Sequence, residues 1–313
     1  FFEKLSAMKK GPESILSGGS FWAAKSAFQV GEIKKINKFL VKAASYDRTF
    51  YSLLASAALG YNKEFNFDLP KIKISFYQKL MSMKAGKRIL VLLQLNQNHK
   101  ASREFRKIIF KFDKKEYPMI VSFASKYNMP GLAFRVSAIL RNDYGKIMLG
   151  GLYPIPKWET SKLEIDDKAL ILSISRQESG FNPMAKSSAN ALGLMQVLPS
   201  TAAFIMRDKT YKYRVKKNLL FNEEKNILIG TKYMRFLLNL DLVNSDVVKM
   251  LASYNAGPGN LNKWMKKIKP KDRDPILLIE SLPARQTRNY IKLVLTNLNI
   301  YRSRFNETSY VMN

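Results

Sequence analysis

The chain has 313 residues, carries 53 Lys+Arg against 24 Asp+Glu for a net charge of +29, and is 46% apolar. That length fits two domains, or one domain with a long extension, and that apolar fraction supports a real core, which excludes wholesale disorder. With no cysteine present, disulfides, thiolate metal sites and cysteine nucleophiles are excluded too.

Residues 1–150 read as helix after helix. Trp22, Ala23, Ala27 and Phe28 keep helical spacing up to Gly31, and Ile36, Phe39, Leu40, Ala43 and Ala44 continue it beyond. A third helix is predicted over Phe50–Leu59, stopping at Gly60, with further helices at Gly86–Leu95, Ser102–Phe110, Pro118–Lys126 and Gly131–Leu140. Paired helices with small alanines facing large apolar residues suggest hairpin repeats of about 34 residues stacked as a solenoid. An irregular helical domain without repeats fits the loose period equally well. The one histidine, His99, lies in a polar stretch and reads as solvated surface. A histidine-dependent triad therefore has no candidate, and acid–base chemistry falls to carboxylates, Lys or Tyr.

Gly150-Gly151-Leu152-Tyr153-Pro154-Ile155-Pro156 reads as a boundary, because two glycines and two prolines do not continue a helix. The expected division is a helical domain over residues 1–150, a linker over 151–165 and a second helical domain over 166–313. The fold class is all-α throughout.

The next segment carries the chemistry. Asp166 or Asp167 can cap a helix whose apolar face includes Leu170, Ile171 and Ile174, with Glu178 four residues beyond on that face and Gly180 as the stop. A carboxyl at the end of an apolar stripe is partly desolvated, which raises its pKa as a general acid requires. A helix-terminal glutamate paired with one of the many cations is the alternative.

Four stretches in order then decide the reading: Glu178-Ser179-Gly180-Phe181-Asn182-Pro183; Gly193-Leu194-Met195-Gln196-Val197-Leu198-Pro199; Ala252-Ser253-Tyr254-Asn255-Ala256-Gly257-Pro258-Gly259; and Glu280-Ser281-Leu282-Pro283 followed by Thr287-Arg288-Asn289-Tyr290. By these the chain resembles the soluble lytic transglycosylases, muramidases with a lysozyme-like catalytic domain, over roughly residues 166–304. More loosely, Phe21-Trp22-Ala23-Ala24 and Thr49-Phe50-Tyr51-Ser52-Leu53-Leu54-Ala55 resemble that family's N-terminal helical superhelix.

The resemblance implies cleavage of the β-1,4 bond between N-acetylmuramic acid and N-acetylglucosamine in peptidoglycan glycan strands. It makes Glu178 the single general acid and then base, closing a 1,6-anhydro ring on the muramyl residue. An ordinary glycosidase needs a second carboxylate; here the sugar's own C6 hydroxyl replaces water, an intramolecular step with high effective molarity. From Ser179 to Arg207 there is indeed no Asp or Glu. The resemblance further implies substrate-binding roles for Ser187, Gln196, Tyr254, Asn255 and Glu280. For Gln196, tying down a loop is the alternative. Tyr254 can instead be a core tyrosine, and Glu280 can instead pair with Arg288. Phe181 is expected to pack beneath the cleft. Leu198 replaces a common methionine, and Gln286 replaces an acidic residue often found before Thr287-Arg288.

The positive charge runs through both halves and suits any polyanion, and the runs Lys212–Lys217 and Lys263–Arg273 read as solvated faces. No nucleic-acid motif accompanies them, so any DNA affinity is expected to be non-specific. No apolar run approaches the ~20 residues of a membrane helix. No signal peptide is visible in a chain that opens at Phe1, and a periplasmic location follows from the resemblance alone. No metal or organic cofactor is implied. Two competing readings remain: a hydrolytic muramidase, which needs a second carboxylate, and a non-catalytic peptidoglycan-binding scaffold.

Overall fold

The computed structural model describes residues 1–158, 168–268 and 274–305, with Arg214 and Val215 described in backbone only. Among these residues every extended regular element is a helix, and two isolated bridges, Lys186 with Leu192 and Leu192 with Val197, are the only β-type pairings. The all-α expectation holds. By packing, the chain falls into two compact units, residues 1–65 together with 240–313, and residues 66–239.

In the first unit, the helices Glu13–Gln29 and Ile33–Ala44 separate at Gly31, whose φ of 77° only glycine adopts without strain. The helix Phe50–Ala58 begins on a reciprocal cap: the Ser52 N–H donates to Thr49 Oγ1 at 3.0 Å, and the Thr49 N–H donates to Ser52 Oγ at 3.2 Å. Tyr51 lies across Gly18, where an added Cβ would stand 3.0 Å from its ring. The helices Val247–Ala256, Pro258–Lys267, Pro275–Ser281 and Arg285–Arg304 complete the unit. The last of these buries Tyr290, Ile291, Val294, Leu298 and Tyr301 along one stripe and packs on both Phe50–Ala58 and Val247–Ala256.

The second unit contains the expected helices with adjusted ends, Lys84–Gln94, Asn98–Ile108, Tyr117–Lys126 and Pro130–Tyr144, and an unforeseen one at Ile74–Ser82. Phe110 ends no helix, because the chain tightens into a 3-10 turn at Ile109–Lys111. Phe76, Phe105, Phe112 and Phe123 form the centre of the core, with ring centroids 5.3–5.6 Å apart. The glycine pair is not a helix break. Gly150 and Gly151 are buried in the short helix Leu149–Leu152, where a Cβ on Gly151 would stand 2.1 Å from Ser137 Oγ and one on Gly150 would stand 2.3 Å from the Phe67 carbonyl oxygen. Close approach rather than turning is what requires glycine there. Of the expected linker, residues 159–165 lie outside the described residues, as do the candidate caps Asp166 and Asp167.

Candidate active site

The helix Lys168–Ser179 starts at the exposed Lys168, buries every residue from Ala169 to Ser175, and is partly exposed again in its last turn, Arg176 to Ser179. Burying Leu170, Ile171, Leu172 and Ile174 stabilises it by ~1.5–3 kcal/mol each. Glu178 therefore emerges, half-buried, at the point where the apolar helix meets the surface. Two residues earlier, the Arg176 Nε donates to the Leu152 carbonyl at 2.8 Å, and its guanidinium lies over the Tyr153 and Phe134 rings at 4.2 and 5.0 Å.

The chain reverses immediately after Glu178. Gly180 and Phe181 adopt φ of 55° and 63°, the second unusual for a side-chain-bearing residue. That conformation costs ~1–2 kcal/mol, less than the ~2–3 kcal/mol from burying an aromatic ring. Phe181 is 2% exposed, packed against Phe134 and Trp158.

The second motif folds as a loop bonded to itself and to this helix end. The Ser179 hydroxyl donates to the Leu194 carbonyl at 2.7 Å. Leu192 and Val197 exchange two backbone hydrogen bonds at 3.0 Å, and the Gly193 N–H donates to the Ala185 carbonyl at 2.9 Å. Gln196, with φ of 48°, donates its Nε2 hydrogens to the Gly193 and Ala185 carbonyls at 2.8 and 3.2 Å. Its amide nitrogen thus ties down the loop, while Oε1 accepts no hydrogen bond from the described residues. Ser187 closes the same loop by accepting the Ala191 N–H at 3.0 Å, and its own hydroxyl hydrogen has no acceptor among the described residues. Ser187 and Gln196 are brought into one loop bonded to the turn that carries Glu178.

Sequence reasoning missed the residue beneath this loop. Asn226, fully buried in the helix Glu223–Leu238, accepts the Met195 N–H at 2.8 Å and donates to the Leu192 and Leu220 carbonyls at 2.8 and 2.7 Å. Gly193 lies against it with φ of 77°, and a Cβ there would stand 2.2 Å from the Leu220 carbonyl oxygen. An asparagine amid apolar helix positions, Ile227 and Ile229, was the available signal.

His99 also departs from expectation. It is half-buried, and burial, then Arg106 and Arg103, push its pKa below the ordinary value. It shares a small pocket with Arg106, Asn182 and Glu223, where burial raises the Glu223 pKa against the opposing hydrogen bond from Trp158.

The remaining candidates lie in the first unit. Tyr254 and Asn255 occupy the last turn of Val247–Ala256, both half-buried, and Asn255 Oδ1 accepts the Thr287 hydroxyl at 2.9 Å. Glu280 sits in the last turn of Pro275–Ser281. It does not pair with Arg288, whose guanidinium instead donates to the Leu282 and Pro283 carbonyls. Its Oε1 accepts the Tyr51 hydroxyl at 2.5 Å and Lys292 Nζ at 2.9 Å. At the start of that helix Asp274 caps the Ile276 and Leu277 N–H groups and pairs with Lys25.

Of the basic runs, Lys216 is not free surface, since it pairs with Asp208 at 2.5 Å, and residues 269–273 lie outside the described residues. Among the described residues no helix is long and apolar enough to cross a membrane.

Residues 158–277 match the family described as the transglycosylase SLT domain. The chain is 31% identical over 282 residues to a Haemophilus influenzae protein named for soluble lytic murein transglycosylase, covering 88% of this chain and 45% of that one. It is 27% identical over 289 residues to the soluble lytic murein transglycosylase of Escherichia coli, covering 90% of this chain and 43% of the relative. The crystal structure of the 70-kDa soluble lytic transglycosylase of Escherichia coli shares its fold, with a TM-score of 0.76 at 23% identity over 93% of this chain and 46% of that chain. The chain thus spans a little under half the length of these relatives.

Proposed function

We propose, from the match of residues 158–277 to the transglycosylase SLT domain and from a fold shared with the soluble lytic transglycosylases, that this chain is a peptidoglycan lytic transglycosylase. In this reading residues 166–313 carry the lysozyme-like catalytic part, residues 1–150 guide glycan strands towards it, and the protein works in the periplasm. The observation that carries the reading is Glu178, half-buried at the end of an apolar helix and followed at once by a loop bonded to that helix through Ser179 and Leu194.

The chemistry balances with one carboxyl group. Glu178 gives its proton to the glycosidic oxygen as the bond from the muramyl C1 to that oxygen breaks. The C6 hydroxyl oxygen of the same muramyl residue then bonds to C1, and its proton returns to Glu178. No water is consumed. Partial desolvation suits a group that must be protonated first and basic second. Ser187 supplies a hydroxyl donor and Gln196 a carbonyl acceptor to the sugar, while Tyr254 and Asn255 offer a ring and an amide. Holding Ser187 and Gln196 in one loop bonded to the Glu178 turn before substrate arrives is what makes a single carboxylate sufficient.

The test is release of soluble muropeptides from isolated peptidoglycan. The parent chain releases them and Glu178→Gln reduces release by at least about a thousandfold; equal release from both refutes the assignment of Glu178. Sedimentation with peptidoglycan but no release by either chain supports the scaffold reading instead.

A further inference from the structure

The Glu280 carboxylate is held by one oxygen only. Both donors, the Tyr51 hydroxyl and Lys292 Nζ, converge on Oε1, and Oε2 accepts no hydrogen bond from the described residues. The side chain is 30% exposed. A carboxylate that only had to be neutralised has no need of two donors on one oxygen. That arrangement fixes the plane of the group and leaves the other oxygen's lone pairs available.

Tyr51 is itself held in place. The residue is 7% exposed, its ring flush on Gly18 and in contact with the rings of Phe21, Phe50 and Trp22. The Trp22 indole N–H donates to its hydroxyl oxygen at 3.1 Å, which aims the O–H proton away towards Glu280. Lys292 completes the arrangement with its ammonium 5.7 Å from the Tyr51 ring centre. Burial, then the hydrogen bond to Glu280, push the Tyr51 pKa well up, so it remains a donor at any physiological pH. This network joins residues 229 positions apart in sequence.

We infer that Tyr51, with Lys292, is a positioning residue that orients Glu280 so that Oε2 accepts a hydrogen bond from a sugar N–H or O–H donor. The inference rests on the proposed transglycosylase reading and deepens it: a tyrosine of the N-terminal helices sets substrate affinity rather than only supporting the fold.

The experiment uses Tyr51→Phe, which keeps the ring and removes the hydroxyl, Lys292→Met as an independent second variant, Glu280→Ala, and the two double variants. The probe is a tetrasaccharide of alternating N-acetylglucosamine and N-acetylmuramic acid. Its KM and kcat are measured in the active chain, and its Kd by calorimetry with Glu178→Gln added. Tyr51→Phe and Lys292→Met are expected to raise KM and Kd roughly 5- to 20-fold with kcat changed less than about twofold. In the Glu280→Ala background neither adds a further effect. An unchanged KM and Kd, or effects that simply add to that of Glu280→Ala, overturn the inference. If the parent chain releases no muropeptides the transglycosylase reading falls first, and the calorimetric Kd series still decides the role of Tyr51.

Discussion

The Ser179 hydroxyl donates to the Leu194 carbonyl at 2.7 Å, bonding the residue next to Glu178 to the middle of the Gly193–Val197 loop. The two motifs, separated by a stretch without acidic residues, thereby act as one piece. Ser179→Ala removes that bond and little volume. It is expected to cost ~1 kcal/mol of stability and to lower kcat/KM about tenfold by loosening the loop against the acid. Chemical unfolding alongside a release assay separates the two, and full activity refutes the coupling.

Asn226 holds the same loop from below with three hydrogen bonds. Asn226→Leu leaves the Leu220 carbonyl and the Met195 N–H unsatisfied and takes from the Leu192 carbonyl one of its two donors, the Val197 N–H remaining, for a total loss of about 2–4 kcal/mol. Thermal unfolding checks this: a Tm drop near 10 °C is expected, and a drop below about 2 °C contradicts the role given to Asn226.

Glu223 is a carboxyl whose pKa burial raises. The folded state then holds its proton more tightly than the unfolded chain, so stability falls as pH rises from the ordinary carboxyl value, ~4.3, through the folded one. Glu223→Gln keeps an acceptor for Trp158 and removes the charge. It is expected to raise Tm at pH 7 and to converge with the parent by about pH 4. A lower Tm at pH 7 contradicts the argument. Unchanged activity is also expected, whereas abolished activity favours a hydrolytic enzyme with Glu223 as second carboxylate.

Asp274 behaves in the opposite sense. Burial alone raises its pKa, but the hydrogen bond from Lys25 and those from the Leu277 and Ile276 N–H groups outweigh it and hold the value down. A depressed folded value contributes stability above the unfolded value, ~3.9, which is lost as pH falls through the folded one. Asp274→Asn keeps the cap and loses the charge. Its stability deficit at pH 7 shrinks below pH 4, and a deficit independent of pH over that range rules out the electrostatic part.

Much of this was legible from periodicity and punctuation. Helical spacing found Phe50–Ala58 and Tyr117–Lys126 nearly to the residue, and the apolar stripe ending at Glu178 with Gly180 beyond it marked the helix end that is observed. Local pattern misread Gly150 and Gly151, because a glycine required by a close neighbour looks the same in sequence as one required by a turn. Periodicity is also silent on pairs distant in sequence. Nothing local to Tyr51 or Glu280 announces their hydrogen bond, and it displaced the Arg288 pairing that proximity in sequence had suggested. His99 and Asn226 were obscured in the same way, since a polar residue's burial depends on which elements fold against it.

The most direct measurement is the mass of the products released from intact peptidoglycan by the parent chain and by Glu178→Gln. Muropeptides one water lighter than hydrolysis products, about 18 Da less, are expected from the parent only, because the C6 hydroxyl rather than water closes on C1. Products at full hydrolytic mass would contradict a single carboxylate acting as acid and then base, and would require a second carboxylate and a bound water.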